Sequence, residues 1–138
     1  MKKLTIAALA LVMLTACGPK VTTGTAETQL DSSKITCEVT LEDGKVTEIT
    51  IDETQGDSTK RTLGDNYGMK GTSANIGRID GGAEWYEQVD NLQNYIIANG
   101  VDAVTLDDAG YITDATIGCT INVYNIMATV NAAIENAK

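Results

Sequence analysis

The chain has 138 residues with 10 basic and 19 acidic side chains, a formal net charge of −9, no histidine and three cysteines. One domain fits that length. The charge repels nucleic acid and anionic lipid head groups, so neither is expected as a partner surface. The absence of histidine removes imidazole catalysis, most zinc sites and any hydrolase triad, since no serine, threonine or cysteine has its usual base.

The N-terminal stretch MKKLTIAALALVMLTAC places two lysines before an apolar run from Leu4 to Leu14, with small residues before Cys17. That is the layout of an export signal, and the run is too short to remain as a membrane span. Residues 1–16 are therefore read as a signal peptide. Leu14-Thr15-Ala16-Cys17 resembles the lipobox of bacterial lipoproteins, which implies lipidation of Cys17 and anchoring on the extracytoplasmic side of the cell membrane. The chain from Cys17 onward keeps 8 basic and 19 acidic residues, a charge of −11.

Residues 17–33 contain many Thr, Ser and Gly and show no apolar periodicity, the composition of a flexible tether. The sixteen residues from Gly18 to Ser33 would span roughly 20–25 Å. From residue 34 the signal sharpens. Ile35, Cys37, Val39 and Leu41 alternate with polar residues, as in a half-buried strand. Asp43-Gly44 supplies a turn suited to positive φ. Residues 46–51 return as a second strand, with Val46 out of step with Ile49 and Ile51, which predicts a bulge. Residues 53–82 are long, polar and glycine-studded, a loop of unusual length with short turns around LGDNYGM.

Trp85, Val89, Leu92 and Ile96 form one apolar stripe, predicting a helix over residues 83–99 stopped by Gly100, with Trp85 in the core. Glu84, Glu87 and Asp90 read as its solvated face. Residues 101–123 read as a second β-region around a turn at Asp107-Asp108-Ala109-Gly110. Residues 125–137 read as a closing helix with Ile126, Val130, Ala133 and Ile134 inward and Asn122 as N-cap. The predicted class is α+β: a small antiparallel sheet, two main helices and a long glycine-rich insert. Cys37 and Cys119 match no metal spacing and are read as two buried thiols rather than a disulfide. The acids Asp102, Asp107, Asp108 and Asp114 match no calcium loop and are read as turn residues.

The segment DATIGCT, Asp114 to Thr120, is placed between strand and helix. Gly118 allows close backbone approach, and the amides opening a helix suit an anion such as phosphate. Glycine, cysteine and threonine in this position are also ordinary packing and capping residues, so the spacing alone leaves both readings open.

Three segments together resemble the small FMN-binding domain of bacterial extracytoplasmic electron-transfer proteins. They are the hairpin VTLEDGKVTEITI, then Glu53-Thr54-Gln55-Gly56 (the family has Glu-Thr-Pro-Gly), then DATIGCT (the family has Asp-x-x-Ser-Gly-Ala-Thr) followed by a closing helix with ATVNAAI. The resemblance implies an FMN-binding-like domain over residues 34–138. It implies FMN as cofactor and Thr120 as the residue esterified to the FMN phosphate by a separate flavin transferase, with redox membrane proteins as partners. It also marks Gly118, Asp114, Cys119, Glu53 and Thr54 as cofactor-binding. Tyr67, in its glycine-rich loop, is the candidate for stacking on the ring. Ile117 stands where the family has serine and Cys119 where it has alanine. The expected function is a membrane-anchored flavoprotein that relays electrons, an electron carrier or binding protein more than a freestanding enzyme, with no catalytic residue and no metal assigned. The alternative is a flavin-free surface lipoprotein acting as a binding or structural module.

Overall fold

The computed structural model describes residues 17–138, together with the backbone of residues 10–13. The remainder of the expected signal peptide lies outside the described residues. An antiparallel sheet runs in the order β1 (Ala10–Met13), β2 (Val21–Gln29), β3 (Lys34–Glu42), β4 (Lys45–Gln55) and β5 (Ser58–Thr59). Short helices α1 (Lys60–Leu63) and α2 (Lys70–Ile76) follow. The long helices α3 (Trp85–Asn99) and α4 (Tyr124–Ala137) complete an α+β fold.

One face of the sheet is apolar, and the register shows why. Gly24 opposes Val39, Ala26 opposes Cys37, Val39 opposes Ile49 and Cys37 opposes Ile51, so the inward residues of three strands share one side. Helix α4 lies over β2 and β3, and α3 lies over β4. Trp85, Val89, Leu92 and Ile96 of α3 and Ile126, Val130 and Ala133 of α4 are buried against that face, as the helical stripes require. Asp43 and Gly44 both take positive φ, 49° and 80°, in the tight turn joining β3 to β4. The expected bulge is present: Thr40 opposes Glu48 and Leu41 opposes Val46, which leaves Thr47 as the extra residue.

Three expectations are corrected. Residues 21–29, read as part of a flexible tether, form β2, in the body of the sheet. Its inward residues Thr22, Gly24, Ala26 and Thr28 are small, so period-2 burial leaves little hydrophobic signature. The strand is held under α4 by the Thr28–Thr129 hydroxyl pair at 2.6 Å and by Asn136 Nδ2 donating to the Thr25 carbonyl at 2.8 Å. Residues 101–123 form no strand; they hold two 3₁₀ turns, Val101–Ala103 and Ala115–Ile117, and two isolated bridges, Leu106–Ile112 and Tyr111–Asn122. Closely spaced turns at Asp107–Gly110 and at Asp114–Gly118 leave no run long enough to pair. The insert is not structureless either: β4 extends to Gln55, and β5, α1, a 3₁₀ turn at Gly64–Tyr67 and α2 follow.

Candidate functional site

The 114–122 segment is built from local hydrogen bonds. The Asp114 carboxylate accepts from the Thr116 amide at 2.9 Å and the Thr116 hydroxyl at 2.6 Å. These bonds, the hydroxyl's first, hold its carboxyl below the usual range. Asp114 therefore caps a turn. Gly118 adopts φ 70°, and its carbonyl accepts from Asn91 Nδ2 at 3.0 Å. A Cβ at Gly118 would lie 2.9 Å from that nitrogen, the movable end of an exposed side chain, so it is the positive φ that favours glycine here.

Cys119 is buried, and burial pushes its thiol up to about 12, against a smaller opposing effect of the Ile121 amide. Cys37 is likewise a separate free thiol, pushed up to about 12 by burial and by neighbouring Glu38.

Thr120 is half-buried, and both its donors converge on one acceptor. Its amide and its hydroxyl donate to Gln88 Oε1 at 2.8 and 3.0 Å. Gln88 is fully buried in α3, and its Nε2 donates to the Ala83 carbonyl at 3.1 Å and reaches Ser73 Oγ of α2 at 3.5 Å. One side-chain amide thus ties the Thr120 turn to the insert. The expected seat on helix amides is corrected: α4 begins only at Tyr124, and the Tyr124 amide already donates to Asn122 Oδ1 at 3.1 Å. Val123 occupies the N-cap position, and Asn122 caps the helix from one residue further out.

The remaining candidates gather elsewhere. Glu53 Oε2 pairs with Lys60 Nζ at 2.8 Å, with both side chains nearly buried, and Glu53 Oε1 accepts from Ser33 Oγ at 2.8 Å. Thr54 Oγ1 accepts from the Lys34 amide at 2.8 Å, which fixes the β2–β3 turn to β4. The Lys60 ammonium stands 5.3 Å from the Tyr67 ring centroid and 5.5 Å from that of Trp85, within cation–π range.

Two clefts flank the 118–122 turn. Cys119 and Thr120 line one of about 360 Å³ together with Arg78, Asp107 and Thr113. Ile121 and Asn122 line another of about 280 Å³ together with Glu53, Lys60, Met69 and Trp85. The structure therefore brings Thr120 and Cys119 together and sets Glu53 on the far side of the same turn. Thr54 and Tyr67 line neither of these clefts, and Asp114 is spent on its cap.

Both Thr120 donors are engaged by Gln88, so the group this cleft has left for an anion such as phosphate is the Arg78 guanidinium; its volume falls in the ~300–1,000 Å³ range of ligand pockets. Gln88, Arg78 and Lys60 were not marked by the sequence reading. Gln88 had a usable signal: it lies at i+3 from Trp85 inside the apolar stripe, where a polar residue must find buried partners.

Glu84 also departs from expectation. It is 3% exposed rather than solvated, and its carboxylate accepts from the Met69 and Lys70 amides at 2.8 and 3.0 Å. Asp90 is paired with Arg61 at 2.8 Å. Among the described residues no group of three or more acids or cysteines is placed to hold a metal ion, and no helix is long and apolar enough to cross a membrane. No protein-family model, no curated protein and no solved structure matches the chain.

Proposed function

We propose that this chain is a membrane-anchored extracytoplasmic lipoprotein, lipidated at Cys17, that binds FMN at the Thr120 turn and relays electrons between membrane redox proteins and an outside acceptor. The observation that carries the reading is Thr120 itself. The residue that the family resemblance marks for a phosphoester stands half-buried on a cleft of about 360 Å³, with its hydroxyl oriented by a buried amide and Arg78 lining the same cleft. Thr120 would carry the ester, and Arg78 and Thr113 would face the phosphate. Once the hydroxyl is esterified it has no proton to donate, so the Thr120 amide alone keeps the bond to Gln88. Flavin, when bound, supplies one- and two-electron transfer, while the protein supplies position and electrostatics.

The test is intact-mass spectrometry of residues 18–138 co-expressed with a flavin transferase. The expected result is a mass increase of one FMN ester, with yellow colour, that vanishes in Thr120→Ala. A colourless protein of unmodified mass that also fails to bind added FMN overturns the flavin reading. Anchoring is tested separately: Cys17→Ser is expected to move the full chain from the membrane to the soluble fraction.

One observation favours the second reading, a flavin-free surface lipoprotein acting as a binding or structural module. Trp85, on the smaller cleft, and Tyr67 both already face the Lys60 ammonium, itself paired with Glu53, so the ring faces that would suit a flavin are engaged within the chain.

A further inference from the structure

We propose that Arg78, delivered by the insert between β4 and α3, makes this site select the phosphorylated form of riboflavin over riboflavin itself. The inference rests on the flavin reading above and gives the insert a role within it.

The argument starts from charge. Residues 18–138 keep 8 basic and 19 acidic side chains, a net charge of −11 that repels a phosphate group, so a site for one needs a local cation. Arg78 lines the Thr120 cleft. Asp107 is the acid on the same cleft, and its Oδ1 is occupied by the Ala109 and Tyr111 amides at 3.0 and 2.9 Å. The two arginines of the chain are used differently. Arg61 is fully engaged, with its guanidinium donating to the Ile51 carbonyl, Asp90 and Gln93. Arg78 is exposed and has no hydrogen bond or ion pair among the described residues, so its five donors are available to an anion.

The segment that carries Arg78 is fixed at both ends. Upstream, the Met69 and Lys70 amides are held by the Glu84 carboxylate, and Ser73 lies within reach of Gln88 and accepts from the Ala83 amide at 3.1 Å. Downstream, Gly82 sits so close to α2 that a Cβ there would lie 2.2 Å from the Lys70 carbonyl. Gln88 thus holds the insert with its nitrogen and the Thr120 turn with its oxygen. One buried amide thus ties the backbone segment that carries Arg78 to the turn that carries Thr120. A guanidinium can meet a phosphate with two parallel bonds, and it has nothing comparable to offer the neutral ribityl hydroxyl of riboflavin.

The experiment is equilibrium titration of flavin-free residues 18–138, wild type, R78Q and R78K, with FMN and with riboflavin at low ionic strength. Wild type is expected to bind FMN roughly tenfold or more tighter than riboflavin, as a charge-assisted hydrogen bond allows. R78Q should lose that factor for FMN and leave riboflavin unchanged; R78K should fall between. All three should unfold at the same urea concentration, since Arg78 holds nothing else in place. FMN binding by R78Q equal to that of wild type overturns the inference, as does an equal loss for both flavins or a wild type without preference for FMN. In each of those cases the mass increase at Thr120 with the transferase decides separately whether the flavin reading stands.

Discussion

Gln88 is where the loss of a single side chain would be felt in two elements. In Gln88→Leu the volume is nearly kept, while the Thr120 amide and hydroxyl and the Ala83 carbonyl lose their partner. Stranding such groups costs about 1–3 kcal/mol each, so the urea midpoint should drop clearly at unchanged slope. An unchanged midpoint would mean that water replaces the amide. The two thiols give a pH prediction. Cys37 and Cys119 each have an ordinary value of 9.0 and are pushed up to about 12 in the fold. Below pH 9 both folded and unfolded chains keep the protons, and the thiols add no pH dependence. Above it the unfolded chain loses them first, so stability falls with rising pH between 9 and about 12, by up to ~1.4 kcal/mol per unit for each thiol. Comparison with the Cys37→Ala, Cys119→Ala double variant isolates this part; parallel pH profiles would refute it. Neither thiol should react with an alkylating reagent at pH 8 until the chain unfolds.

At the scale of the element, β2 is the most exacting. A Cβ at Gly24 would lie 2.2 Å from the Ala133 carbonyl and 2.5 Å from the Ala137 amide, so the helix backbone itself is the obstacle. Gly24→Val should destabilise by about 1–3 kcal/mol or more, read as a lower melting temperature. A tether residue in its place would tolerate valine without effect. This contrast also explains what the sequence could tell. β3, β4, α3 and α4 bury Val, Leu, Ile and Trp at regular spacing, and that regularity is a local property of the letters. β2 buries Thr, Gly and Ala, whose burial is decided by how closely α4 approaches, a fact set by distant residues. Of the proposed site, the motif marked Thr120 and Cys119, which line one cleft. The site was opaque at Arg78 and Gln88, because their relation to Thr120 is made by the fold across 42 and 32 positions of chain. Asp114 and Gly118 were singled out for reasons other than the ones the structure shows, since a capped turn and a positive φ need the same residue types as a ligand loop.

As a whole molecule, the two ends of the described chain depend on each other. β2 lies near the start and α4 at the end, and the contacts between them include Thr28 with Thr129 and Thr25 with Asn136. Removing residues 124–138 should therefore unfold everything, seen as loss of the near-ultraviolet signal of Trp85 and of a cooperative transition. Retention of a folded remainder would show that the sheet and α3 suffice. The early start of order has a further meaning for where the protein stands. The Lys20 amide donates to Asp43 Oδ1 at 2.9 Å, and the Asp43 amide returns the bond to the Lys20 carbonyl at 2.9 Å, so the strand layer is locked from that residue on. In a chain cleaved before Cys17, which would lack β1, only Cys17, Gly18 and Pro19 would precede it, a leash of about 10 Å at full stretch. A lipidated Cys17 would moor the body flush against the bilayer, with no room to swing outward. Whatever docks with it would then have to come along the membrane plane, and its orientation there would be dictated by the end of the sheet carrying the β3–β4 hairpin turn.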